Sequence, residues 1–192
     1  MHEAKIPRTV FDLVKPSVVF FAYRLLLLTH DRPGSVHANL NVSTLFETGI
    51  VTSLYEHLLM SPVLRDYEIR REWRIKTGKK QRPQQIDLWL RPTKGGHPFL
   101  IEVGDFTPGK VKTDLNKCHK FNPKAYCWFL ALFRDIPAEA RDPFAKLKKT
   151  AKNKRGLDTT LIDYDKKYCG TFELFTAPDR KEDFGFALLK RK

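Results

Sequence analysis

AYCWFLALF (125–133) is a nearly continuous apolar run bounded by Pro123 and Pro137. A run of strand length with no polar face belongs to a strand covered on both sides, so the rest of the chain must supply layers above and below a central sheet.

Segments for those layers are legible. Residues 9–29 read as a helix, with Pro16 as a point of kinking and the turn residues of THDRPGS as its end. The sequence leaves open whether this helix packs on the domain or forms a dimer contact. STLFETGIVTSLYEHLLMSP (43–62) sets Leu45, Phe46, Ile50, Val51, Leu54, Leu58 and Leu59 at helical spacing and stops before Pro62. The expected division is an N-terminal helical extension, 1–42, and one α/β domain, 43–192. A chain of 192 residues is long enough to bury a genuine core.

Between these helices and the apolar run lie three strand patterns. YEIRREWRI (67–75) alternates with the period of a half-exposed strand, and IDLWL (86–90) and PFLIEV (98–103) are separated by RPTKGGH, a loop signal. They predict an antiparallel meander. A short helix is expected over 113–121, with Thr113 as N-cap, and a second one in DPFAKLKKTAKN, with Asp142 as N-cap, Pro143 in the first turn and Phe144, Leu147 and Ala151 as its apolar stripe. TTLIDY and TFELFTA are further strand candidates. The fold class is therefore α/β, a central mixed sheet with the meander plus further strands, flanked by helices.

Two carboxylates interrupt this apolar sheet. Residues two apart on a strand share a face, so Asp87 groups with Trp89 opposite Ile86, Leu88 and Leu90, and Glu102 groups with Leu100 and Gly104 opposite Ile101 and Val103. If the two strands pair, both acids lie on one face at neighbouring positions, where they repel and a cation would relieve the repulsion. Mg²⁺ or Mn²⁺ is held by one or two carboxylates with waters and phosphate oxygens, and such an ion activates a bound water for phosphodiester hydrolysis. The plain alternative makes Asp87 a solvent-facing strand residue and Glu102 an arginine partner. Glu47 is a third acid: three residues after Thr44, it reads as part of a capping box, yet it also lies on the stripe of Val51, Leu54 and Leu58 that must face the sheet.

With Glu47 in a first helix, Asp87 in a second strand and Glu102 in a third, over about residues 43–135, the chain resembles the PD-(D/E)XK nuclease superfamily, the restriction-endonuclease-like fold. The resemblance implies catalytic roles for Glu47, Asp87 and Glu102, and Mg²⁺ or Mn²⁺ held by Asp87, Glu102 and the backbone carbonyl of Val103. The family's third-strand lysine is absent, since Gly104 stands there, giving EVG. Either the lysine has migrated or hydrolysis has been lost, leaving an inactive module that binds nucleic acid or a protein. The second helix offers Lys117 as the expected replacement, sharing a face with Asp114, while Lys110 and Lys112 are expected to meet phosphates.

Charge points the same way. The net charge is +13, and between Lys110 and Arg155 there are thirteen Lys or Arg against four acids. Lys110, Lys112, Lys146, Lys148, Lys149, Lys152, Lys154 and Arg155 are the expected nucleic-acid contacts, with DNA ahead of RNA. A homodimer or a multiprotein complex is the further expectation for partners. Cys118, Cys127 and Cys169 form no CxxC pair, which fits a reducing cytoplasm, and the histidines show no zinc spacing. Val18–Leu28 is apolar but about half the length of a membrane span and holds Arg24, so no membrane association is expected.

Overall fold

The computed structural model describes residues 5–30, 42–75, 84–133, 137–153, 156–177 and 180–192. The elements run α1 (Lys5–His30), α2 (Val42–Met60), β1 (Tyr67–Ile75), β2 (Gln84–Pro92), β3 (Phe99–Asp105), α3 (Pro108–Phe121), β4 (Tyr126–Phe133), α4 (Pro137–Arg141), α5 (Pro143–Ala151), β5 (Ile162–Asp163), β6 (Cys169–Ala177) and β7 (Arg180–Arg191). The fold is α/β: an open mixed sheet of seven strands among the described residues, flanked by helices.

The meander is present. β1 pairs antiparallel with β2, and β2 antiparallel with β3, whereas β3 and β4 run parallel through α3. β4 is buried as its apolar run requires, every residue from Cys127 to Phe133 being shielded. Its two faces feed two cores. Trp128, Leu130 and Leu132 join Ile101 and Val103 of β3 and the stripes of α1 and α2, while Phe129, Ala131 and Phe133 join Leu100 and the α3 residues Val111, Leu115 and Cys118. Alternation along the strands thus fills both layers.

Of the two placements open to α1, it packs on the domain. Its residues Ile6, Val10, Val14 and Val18 are buried in the core shared with α2 and the sheet, and the helix runs through Pro16 from Lys5 to His30. A Cβ on Gly49 would stand 2.0 Å from the Phe21 ring, so glycine there lets α1 approach α2 closely, two residues beyond Glu47. Among the described residues no helix is long and apolar enough to cross a membrane.

Four local expectations are corrected. α3 begins at Pro108, with Thr107 and not Thr113 as N-cap: the Thr107 hydroxyl accepts from the Lys110 N–H at 3.2 Å, and Pro108 occupies the first turn, where its missing N–H costs nothing. α2 begins at Val42, so Thr44 lies inside the helix and not at its N-terminal cap. On α5 the buried residues are Pro143, Leu147 and Thr150, not the stripe through Phe144 and Ala151. Ile86 is buried with Trp89 on the α3 side instead of with Leu88 and Leu90. The pairing of β2 with β3 ends at Leu88↔Ile101, and across β2 the β1 residue Glu72 has a left-handed φ of 49°, so strict alternation fails around Asp87.

The tail also differs. TTLIDY contributes only Ile162–Asp163, while RKEDFGFALLKR, unassigned from sequence, forms the long strand β7 between β4 and β6. Phe184, Phe186 and Leu188 enter one core and Ala187 and Leu189 the other.

Candidate active site

The site lies where β2 and β3 stop pairing, between α2 on one face of the sheet and α3 on the other. Beyond Leu88 the ladder is replaced by a side chain: the Val103 N–H donates to Oδ2 of Asp87 at 2.7 Å. This ties the aspartate to the strand carrying Glu102. Glu102 points to the α3 side, is 2% exposed, and meets Lys117 Nζ at 2.7 Å from its Oε1. The Cys118 thiol donates to the same oxygen at 3.9 Å.

A chain of alternating charge extends from there. Lys117 Nζ lies 4.0 Å from Asp114 Oδ1, Asp114 Oδ2 lies 3.5 Å from Lys110 Nζ, and Lys110 Nζ lies 3.4 Å from Glu47 Oε1. The three α3 residues fall at i, i+4 and i+7, one face of one helix. Glu47 arrives from the stripe of α2 on which Val51, Leu54 and Leu58 are buried and meets Lys110 of α3 at the end of β3.

Both strand carboxylates hold protons more tightly than free ones. Burial pushes Glu102 up to about 9, helped by the charge of Asp87 and opposed by Lys117. Asp87 is raised by burial too, against the Val103 N–H and the charges of Lys117 and Lys110. Glu47 is raised by burial, with Lys110 pulling the other way and Asp87 adding to the rise. Burial alone would lower Lys117 and Lys110, but the carboxylates beside them outweigh it and both are raised. The ensemble is short of positive charge.

Gly104 is the unusual member. A Cβ there would lie 2.0 Å from Lys110 Cε, 2.8 Å from its Nζ and 3.1 Å from Glu47 Oε2. The space over this glycine is filled by the Lys110 side chain.

The structure therefore brings together Glu47, Asp87, Glu102 and Lys117; the contact Val103 makes here is through its N–H, which donates to Asp87, and not through the carbonyl expected to hold a metal. It adds Lys110, Asp114 and Cys118, to which sequence reasoning gave other parts or none. The start of α3 at TPG was the available signal, because it puts Lys110 in the first turn beside the end of β3. Among the described residues no group of three or more His, Cys, Asp or Glu side chains is gathered so as to hold a metal ion.

The expected nucleic-acid contacts are dispersed. Lys112 pairs with Asp158 at 3.1 Å, and Lys146 pairs with Glu139. Lys148, Lys149 and Lys152 are exposed at the end of α5, which packs on β6 and β7, across β4 from the carboxylate strands. Lys154 and Arg155 lie outside the described residues. Trp89 and Trp128 are core residues, 8% and 6% exposed, not open stacking platforms.

No protein-family model matches this chain, and no curated protein or solved structure matches it significantly.

Proposed function

We propose that the chain is a metal-dependent endonuclease of the restriction-endonuclease-like fold, hydrolysing phosphodiester bonds of DNA in preference to RNA, with Mg²⁺ or Mn²⁺ held by Asp87, Glu102 and the backbone carbonyl of Val103. The observation that carries this reading is the placing of Asp87 and Glu102 together at the end of the β2–β3 ladder, Asp87 bonded to the Val103 N–H next to Glu102 and its charge adding to the rise of Glu102, with Lys117 against Glu102. The order α2, antiparallel meander, α3, parallel strand supports the same fold assignment.

The donor set suits a hard divalent cation, which takes one or two carboxylates and completes its shell with water and phosphate oxygens. A bound cation would supply Lewis acidity at a phosphodiester oxygen. The protein's own groups do the remaining work. The Val103 N–H fixes the Asp87 carboxylate and Lys117 holds Glu102, while an ammonium group of α3 would meet the negative charge that builds on an attacked phosphate. The exposed lysines of α5 would hold a phosphate backbone without reading sequence.

Calorimetric titration with Mn²⁺, paired with cleavage of plasmid and of RNA with and without chelator, tests the proposal. Chelator-sensitive cleavage is expected. Protein that binds Mn²⁺ and nucleic acid but cuts neither would be the inactive binding module.

A further inference from the structure

We propose that Lys110, seated in the space left by Gly104, is the cation that touches the reacting phosphate, and that Lys117 is a positioning residue for Glu102. This assignment rests on the hydrolytic reading above and divides between two lysines a task that the sequence assigned to Lys117 alone.

The two lysines differ in how they are held. Lys117 is committed: its ammonium is 2.7 Å from a carboxylate that is 3% exposed, and the lysine side chain is itself only 21% exposed. Moving it towards a substrate would strip Glu102 of its partner. Lys110 has longer contacts, 3.4 Å to Glu47 and 3.5 Å to Asp114, and a side chain 36% exposed. It can turn to an incoming phosphate by releasing two long contacts, neither as short as the one that holds Lys117.

Gly104 is explained by the same arrangement. Its backbone is not in the left-handed region, so its conformation does not demand glycine. What excludes a side chain is Lys110, whose Cε lies 2.0 Å from the position a Cβ would take. Position 104 on β3 and position 110 on α3 are therefore two supports for one ammonium site, and only one can be used at a time. The clash is with the far end of a flexible side chain, so alanine at 104 should evict Lys110 without disturbing the strand.

The test compares wild type with Lys110→Ala, Gly104→Ala and the double variant Gly104→Lys/Lys110→Ala. Cleavage, Mn²⁺ affinity by calorimetry, and the acylation rate of the Lys110 amine, read by mass spectrometry where that lysine remains, are followed in each. Lys110→Ala and Gly104→Ala should each slow cleavage on the order of 10²–10³-fold, as when a donor to a transition-state oxyanion is removed. Mn²⁺ affinity should be unchanged in both. Gly104→Ala should also make Lys110 acylate faster, and the double variant should recover cleavage. Wild-type rates in Lys110→Ala, or a double variant as slow as Lys110→Ala while still binding Mn²⁺, would overturn the assignment and leave the hydrolytic reading standing. Wild type that cuts nothing overturns both.

Discussion

Lys117 Nζ stands 2.7 Å from Oε1 of Glu102, an ion-pair contact made almost out of reach of solvent. One lysine does not compensate the burial of that carboxylate together with the charge of Asp87, and Glu102 remains pushed up to about 9. The consequence for stability has a definite sign. The folded pKa lies above the unfolded value, so the folded state holds the extra proton between the two. Stability is greatest below about pH 4.5 and declines as pH rises towards about 9, by at most ~1.4 kcal/mol per pH unit from this group. Urea unfolding of metal-free protein across that range should show the decline, and Glu102→Gln should flatten it. An unchanged slope in the variant would place the titrating group elsewhere.

Metal binding should depend on pH for the same reason. A cation at Glu102 displaces its proton, so Mn²⁺ affinity should climb with pH up to about 9 and a proton should be released on binding. Lys117 favours the ionised form, so Lys117→Met should move the midpoint of the affinity profile to higher pH. Calorimetry in buffers of different ionisation enthalpy measures both quantities. A midpoint that stays in place or moves to lower pH would contradict the role given to Lys117.

Asp87→Asn and Glu102→Gln should each abolish cleavage and leave the protein folded, because each substitution lightens an acidic site without opening a cavity. Far-UV circular dichroism and a plasmid assay decide the matter together. Cleavage surviving in either variant would remove these carboxylates from the chemistry.

The exposed lysines of α5 carry a separate expectation. Replacing Lys148, Lys149 and Lys152 by Gln should weaken nucleic-acid binding and reduce the slope of log affinity against log salt by roughly 0.9 for each lysine that neutralises a duplex phosphate. Fluorescence anisotropy at several salt concentrations gives the slope. Identical slopes would make this helix end a solvated surface and nothing more.

The helix start at Thr107 links stability to the site. Thr107→Ala removes the acceptor for the Lys110 N–H and should cost about 0.5–2 kcal/mol. The loosened first turn is the one that presents Lys110, so cleavage should fall more than Mn²⁺ affinity. Equal losses in both would indicate a general disturbance of α3.

The chain determined by itself whatever depends on short-range pattern. The apolar run of β4 specifies a covered strand, alternation specifies the meander, and a carboxylate inside an apolar strand marks Asp87 and Glu102 because burying an unneeded charge is costly. The tertiary structure alone decided which distant groups share a volume. Lys110 and Glu47 meet across 63 positions of sequence because α2 and α3 reach the same end of the sheet from opposite faces, and no local periodicity encodes that meeting. β7 is a similar case: Gly185 and the charged residues around it obscure its strand pattern, yet pairing with both β4 and β6 and burial on two faces outweigh weak local propensity. Gly104 reads as a missing lysine only through the resemblance drawn from the sequence; in the fold it is the space that Lys110 occupies, because side-chain volume is shared by whatever residues packing brings together.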